Sequence, residues 1–161
     1  MGTTTKTLFE TDFAEWATRT TQLLRQGQFD ALKAENEFEN IAAEIEGLAR
    51  SERTAVRLQL GRLLMRLVKQ RIRPEGAGSS WRASIISART EIDLHFEDSP
   101  SLRLHLLNTL ERTWQRAVKD ALAETALGPR AKELALPKAC PWTLDELLEG
   151  DLDQITAPAS E

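Results

Sequence analysis

An all-α fold, a helical bundle of four to five main helices closed by a short C-terminal capping helix, is the fold class that three features of this sequence predict. The apolar residues include 24 Leu and 20 Ala against 7 Ile, 3 Val and no Tyr. Leu and Ala are good helix formers, whereas β-branched and aromatic residues favour strands. Apolar positions recur at intervals of three and four along most of the chain, which is the period of a helix with one buried face. No proline precedes Pro74, and from there on prolines and glycines fall between the periodic segments, where helix breakers belong.

Residues 1–10 read as a flexible N-terminus. A first helix is expected from about Asp12 to Gln26: Asp12 and Glu15 form an N-terminal capping pair, Gly27 suits the stop, and Phe13, Trp16, Ala17, Leu23 and Leu24 give an apolar side. From about Asp30 to Ile72 the pattern stays helical through Ile41, Ile45, Leu48, Val56, Leu60, Leu63, Leu64 and Leu67. Ser51-Glu52 could start a new helix, so one long helix and two helices meeting at a bend near 47–51 both fit.

Arg73 to Gly78 reads as a loop, after which Ser79 or Ser80 caps a third helix carrying Trp81, Ile85, Ala88, Ile92 and Phe96. A tight junction follows, with Ser99 as cap and Pro100 at the first helical position, where its missing N–H costs nothing. The fourth helix should run to about Leu127, facing Leu106, Leu107, Leu110, Trp114, Ala117 and Ala121 inward, and Gly128-Pro129 ends it. Thr143 and Glu146 form a capping box for a short last helix ending near Gly150, and residues 153–161 read as a polar tail. Residues 11–152 are thus expected to form a single helical domain, in keeping with a length of 161 residues.

A formal charge of -4 with 41% apolar and 29% charged residues argues against gross disorder and against membrane spanning. The opening MGTTTKTLFETDF has no apolar core of the kind a secretion signal needs, and Lys6 stands where myristoylation requires Ser or Thr. A single cysteine, Cys140, excludes an intramolecular disulfide and a thiolate-rich zinc site. The expectation is a cytoplasmic protein.

Six blocks recur in a known order: ETDFAEWA at 10–17, LLRQGQFDAL at 23–32, ENIAAEIEGLARSE at 39–52, SSWRASI at 79–85, DSPSL at 98–102 and CPWTLDELL at 140–148. Together they resemble a bacterial family catalogued as domain of unknown function number twenty-nine, over about residues 8–152. The resemblance implies an all-helical bundle and no established activity, so it brings no catalytic residues to this chain. Arg66, within LLMRLVKQ, stands where the resemblance leads one to expect histidine. That departure argues against an essential metal or acid–base histidine at this place.

Candidates for chemistry are few. Glu91 and His95 are four apart and no Glu-x-x-His exists, so the di-iron bundle pattern is not met. His105 shares the polar side of its helix with Asn108, Arg112, Gln115 and Lys119, and reads as a helix-edge histidine sooner than a ligand. Cys140 precedes a helix start that could lower a thiol pKa, but no partner is marked, and a cysteine packed as a small hydrophobe is the simpler reading. Phosphate-loop, dinucleotide and nucleophile-elbow motifs are absent from the sequence. No catalytic residue, metal ligand or cofactor is assigned.

Charge is segregated along the chain. Residues 1–49 hold 4 basic and 9 acidic residues, residues 50–89 hold 10 and 2, and residues 90–161 hold 7 and 14. Arg62, Arg66, Lys69 and Arg73 are spaced four, three and four, forming one helical stripe about 16 Å long. Leu58, Met65 and Ile72 recur every seven residues on the flank between that stripe and the core face. A helix apolar over so much of its circumference is central in its own bundle or pairs with another chain. Three functions follow in order of preference. The first is a non-catalytic interaction or assembly module with a protein partner or a second copy of itself. Next comes a nucleic-acid-associated regulator using the basic stripe. Last is an enzyme with no recognisable site.

Overall fold

The computed structural model describes residues 7–74, 79–130, 133–134 and 136–156, and every regular element among them is helical. They fall into two compact units, Met1–Arg50 and Ser51–Glu161. Residues 75–78 of the loop expected at 73–78, and the ends of the chain, 1–6 and 157–161, lie outside the described residues.

The first unit contains α1 (Leu8–Thr11), α2 (Phe13–Arg25), α3 (Phe29–Ala34) and the beginning of α4 (Glu37–Ile72). Helix α1 falls where a flexible terminus is expected from sequence: the Glu10 carboxylate accepts from the Thr7 backbone N–H at 2.9 Å, closing a single turn. Helix α2 starts as the capping pair predicts, with Asp12 Oδ1 accepting from the Glu15 N–H at 3.0 Å. It stops at Gly27, whose φ of 67° lets the Gln28 N–H reach the Leu23 carbonyl and its own N–H reach that of Leu24. This is the double hydrogen bond of a Schellman cap, which a left-handed glycine makes without strain.

The periodic stretch from residue 30 is broken once, at Glu35-Asn36, where Asn36 takes a φ of 56°. Asparagine tolerates that region better than other side chains, so a chain break is made with neither glycine nor proline. Beyond it α4 runs for 36 residues without interruption, settling residues 47–51 as continuous helix. Among the described residues of the first unit two apolar side chains are buried, Trp16 and Leu32, together with Thr20 and Glu37. The Trp16 indole N–H donates to Glu37 Oε2 at 2.5 Å and the Asn40 amide donates to the same oxygen at 3.1 Å, so the buried carboxylate is not left without donors. Phe13 and Leu24, expected on the inner side of their helix, are exposed.

The second unit contains the remainder of α4, α5 (Ser79–Asp98), α6 (Leu102–Glu124), a 3-10 turn at Gly128–Arg130, α7 (Leu144–Glu149) and α8 (Leu152–Ile155). Its core joins Val56, Leu60, Leu63, Leu64, Leu67 and Val68 of α4 to Ile85, Ala88 and Ile92 of α5 and to one face of α6. On α6 that face is Leu102, Leu106, Leu110, Trp114, Ala117 and Ala121, with Thr109 and Thr113 between them. The threonines are buried because their hydroxyls donate to the His105 and Thr109 carbonyls, each at 2.8 Å. Leu107 does not join this face as expected from sequence and is exposed, since it lies about 90° from the centre of the buried arc.

Ser99-Pro100 forms the turn before α6, so the helix itself begins at Leu102, two residues later than Pro100 as expected. Its far end closes on Ala126, at a φ of 57°, with the Leu127 N–H bonded to the Leu122 carbonyl. An alanine in this conformation strains its Cβ by about 1 kcal/mol. Ala126→Gly should therefore raise stability by about 1 kcal/mol, read as an upward shift of the urea midpoint with an unchanged slope.

Helix α7 matches its capping box, Thr143 Oγ1 accepting from the Glu146 N–H at 3.2 Å while the Glu146 carboxylate accepts from the Thr143 N–H at 2.7 Å. Those hydrogen bonds hold the Glu146 carboxyl below its ordinary pKa. The polar tail expected from residue 153 instead continues as α8, because Asp151 caps a further turn that buries Leu152 and Ile155.

Candidate functional site

Helix α4 presents the predicted basic stripe on the second unit, and the fold splits it in two. The Lys69 ammonium bonds the Glu124 carboxylate near the end of α6, and the Arg73 guanidinium donates to the Thr125 carbonyl at 2.9 Å. Arg73 thereby caps the negative end of α6, and Lys69 pairs with a carboxylate beside it. Lys69, with Arg66 adding a smaller effect, lowers the pKa of Glu124. Arg62 is exposed and reaches only the Gln59 side chain, at 3.4 Å.

Arg62 lies instead beside a groove of about 290 Å³ between α4 and α6. Leu58, Gly61 and Met65 of α4 and Thr113 and Ala117 of α6 line its base. Gly61 brings no side chain to it, and a Cβ there would make an ordinary contact with the Thr113 methyl at 3.8 Å. Arg57 and Arg62 stand on the α4 side and Arg112 and Arg116 on the α6 side, with Asp120 as the one acidic residue. Asp120 lies 3.8 Å from Arg116. Among the described residues none of Arg53, Arg57, Arg62 and Arg112 has a carboxylate within 4.0 Å.

Thus Arg62, Leu58 and Met65, taken from sequence as members of two separate surfaces, share one groove, whereas Lys69 and Arg73 are engaged within the fold. Leu58 is exposed at 57%, while Met65 and Ile72 are half-buried. The sequence reading missed Arg57, Arg112 and Arg116. A glycine in the middle of an otherwise continuous apolar helix is the signal that could have found the groove, since it costs helix stability and admits a close approach.

His105 registers the field of these arginines. Its Nε2 is buried without a hydrogen-bond partner. Burial first, then the charges of Arg57, Arg53 and Arg112, lower its pKa, against a smaller opposing effect of a backbone hydrogen bond with Arg53. His95 Nδ1 lies 3.3 Å from Glu52 on α4. No group of three or more His, Cys, Asp and Glu side chains able to hold a metal ion occurs among the described residues.

The other segment with reactive side chains is the approach to α7. Trp114 donates its indole N–H to the Pro137 carbonyl at 3.2 Å and packs edge-on against Trp142, with ring centroids 5.8 Å apart. Arg71 sits over the Trp142 ring at 4.8 Å. The Cys140 N–H donates to the Glu111 carboxylate at 3.0 Å. Burial pushes the Cys140 thiol up to about 11 from 9.0. Its thiolate fraction at pH 8 is then about a hundredfold below that of a free thiol. Labelling by a disulfide reagent at pH 8 should accordingly be at least tenfold slower in the folded protein than after denaturation in guanidinium.

No helix among the described residues is long and apolar enough to cross a membrane. No curated protein and no solved structure is found to match the chain. A family model does match it, over residues 8–152, a span that contains α1 to α7 and the whole α4–α6 groove. By that match, the chain belongs to the family described as domain of unknown function DUF29.

Proposed function

We propose that this chain is a helical interaction and assembly module whose α4–α6 groove receives an acidic, amphipathic helix from a protein partner. One observation carries the proposal: an apolar base of Leu58, Gly61, Met65 and Ala117 is bordered by four arginines against one aspartate. A groove with small residues at its base suits the close approach of a helix ridge, and its apolar contacts supply most of the affinity. Unpaired guanidinium groups on the rim select an acidic partner and speed its encounter.

The uncompensated arginines also support a second reading, contact with a nucleic-acid backbone. It is weakened because Lys69 and Arg73, half of the basic stripe, are engaged by the end of α6.

Affinity capture from native lysate separates the two readings when wild type is compared with the double charge reversal Arg62→Glu/Arg112→Glu. An interaction module loses a protein partner in the variant. Loss of co-purifying nucleic acid alone would favour the second reading, and identical captures would remove the groove from consideration.

A further inference from the structure

We infer that the groove is filled by the beginning of helix α4 from a second copy of the chain, so that two chains pair antiparallel through α4. This inference rests on the interaction reading of the groove and names its occupant.

Helix α4 is divided by charge. Residues 37–49 contain Glu37, Glu39, Glu44 and Glu46 and no basic residue, while residues 50–73 contain eight basic residues and one acidic. Glu37 is buried against Trp16, which leaves the other three to meet a partner. The acidic half also carries exposed apolar side chains: Phe38, Ile45 and Leu48 are exposed at 45%, 61% and 67%. Ile41, half-buried, precedes Ile45 by four and Leu48 by seven. Anchors at i, i+4 and i+7 are the spacing by which one helix enters an apolar groove on another protein.

Both halves of this match lie on one uninterrupted helix. Ile45 and Leu58 are thirteen residues apart on it. A helix cannot fold back on its own groove, so the acidic ridge and the basic groove can meet only between copies. Antiparallel pairing sets each acidic half against its partner's basic half, and the same contact is made twice about a two-fold axis. Such an arrangement is self-complementary and closes at two chains. Parallel pairing would instead set glutamates against glutamates and arginines against arginines, which the charge pattern penalises.

Full-length protein should therefore dimerise reversibly in sedimentation velocity between about 1 and 100 μM. The dimer should weaken with added salt, since exposed charge pairs are screened. Two reversals test the geometry. In one variant Glu39, Glu44 and Glu46 are changed to Lys; in the other Arg62 and Arg112 are changed to Glu. Each alone should lower the association constant at least tenfold. Mixing the two should restore a heterodimer, because both contacts are then complementary again, with circular dichroism confirming that each variant is folded.

A wild type that stays monomeric at 100 μM would overturn the inference. So would a dimer that neither reversal weakens, or a mixture that forms no heterodimer. If the wild type is monomeric yet the Arg62→Glu/Arg112→Glu variant loses a protein partner in capture, the interaction reading stands and the second copy as its occupant falls.

Discussion

Trp114→Ala should destabilise the second unit by about 3–5 kcal/mol, the cost of emptying an aromatic site in a packed core. Trp114 is fully buried on α6 and belongs to the core shared with α4, α5 and α7. Its indole N–H holds the Pro137 carbonyl, and its ring meets Trp142 edge-on. One side chain thus serves both as a core filler and as the anchor for the segment leading to α7. Trp114→Phe keeps most of the volume but loses the N–H donor, and should fall about 1–3 kcal/mol below wild type. Chemical denaturation of the two variants against wild type checks the order. Equal losses would show that the contact with Pro137 contributes little.

Arg89→Met should cost about 2–3 kcal/mol, the range for losing hydrogen bonds from a charged donor to groups shielded from water. Arg89 Nε donates to the Leu147 carbonyl at 2.8 Å and one Nη donates to that of Gly150 at 2.9 Å. These carbonyls sit at the end of α7, where a cation is favoured by the helix dipole. Burial lowers the pKa of Arg89, with Asp93 opposing the shift, but a guanidinium remains charged throughout the working range. Methionine retains the aliphatic stem and removes the donors. Arg89→Lys should recover only part of the loss, since one ammonium cannot reproduce the forked geometry. Thermal denaturation of the three proteins should place lysine between arginine and methionine.

The helix ends that could be read in advance are those whose signals are local. Asp12 with Glu15, Gly27, and Thr143 with Glu146 each need only side-chain chemistry within one turn, and the structure places each as the sequence predicts. The break at Asn36 and the stop at Ala126 escape such reading, because a left-handed residue other than glycine is set by its surroundings and not by its own preference. Leu107 shows another limit: apolar spacing gives the width of a face only approximately, and threonines with satisfied hydroxyls occupied the place given to it. The groove was half legible. Its α4 side appeared as neighbouring stripes, but Arg112 and Arg116 join it from a helix some fifty residues later, and no periodicity within one segment reports that meeting.

Helix α4 passes from a unit that buries two apolar side chains into one with a broad core and has no break between them. Among residues 37–50 only Glu37 is buried, so the helix there gains little from packing beyond the cost of ordering each turn. Amide exchange should reflect this as a gradient, with opening free energies rising along the helix from Glu37 toward Leu64. A helix with such a gradient is a graded spring at one end and a rigid post at the other. Any partner that settles on its acidic end would gain by arresting the fraying, and would leave its signature in slower exchange there before any change at the core.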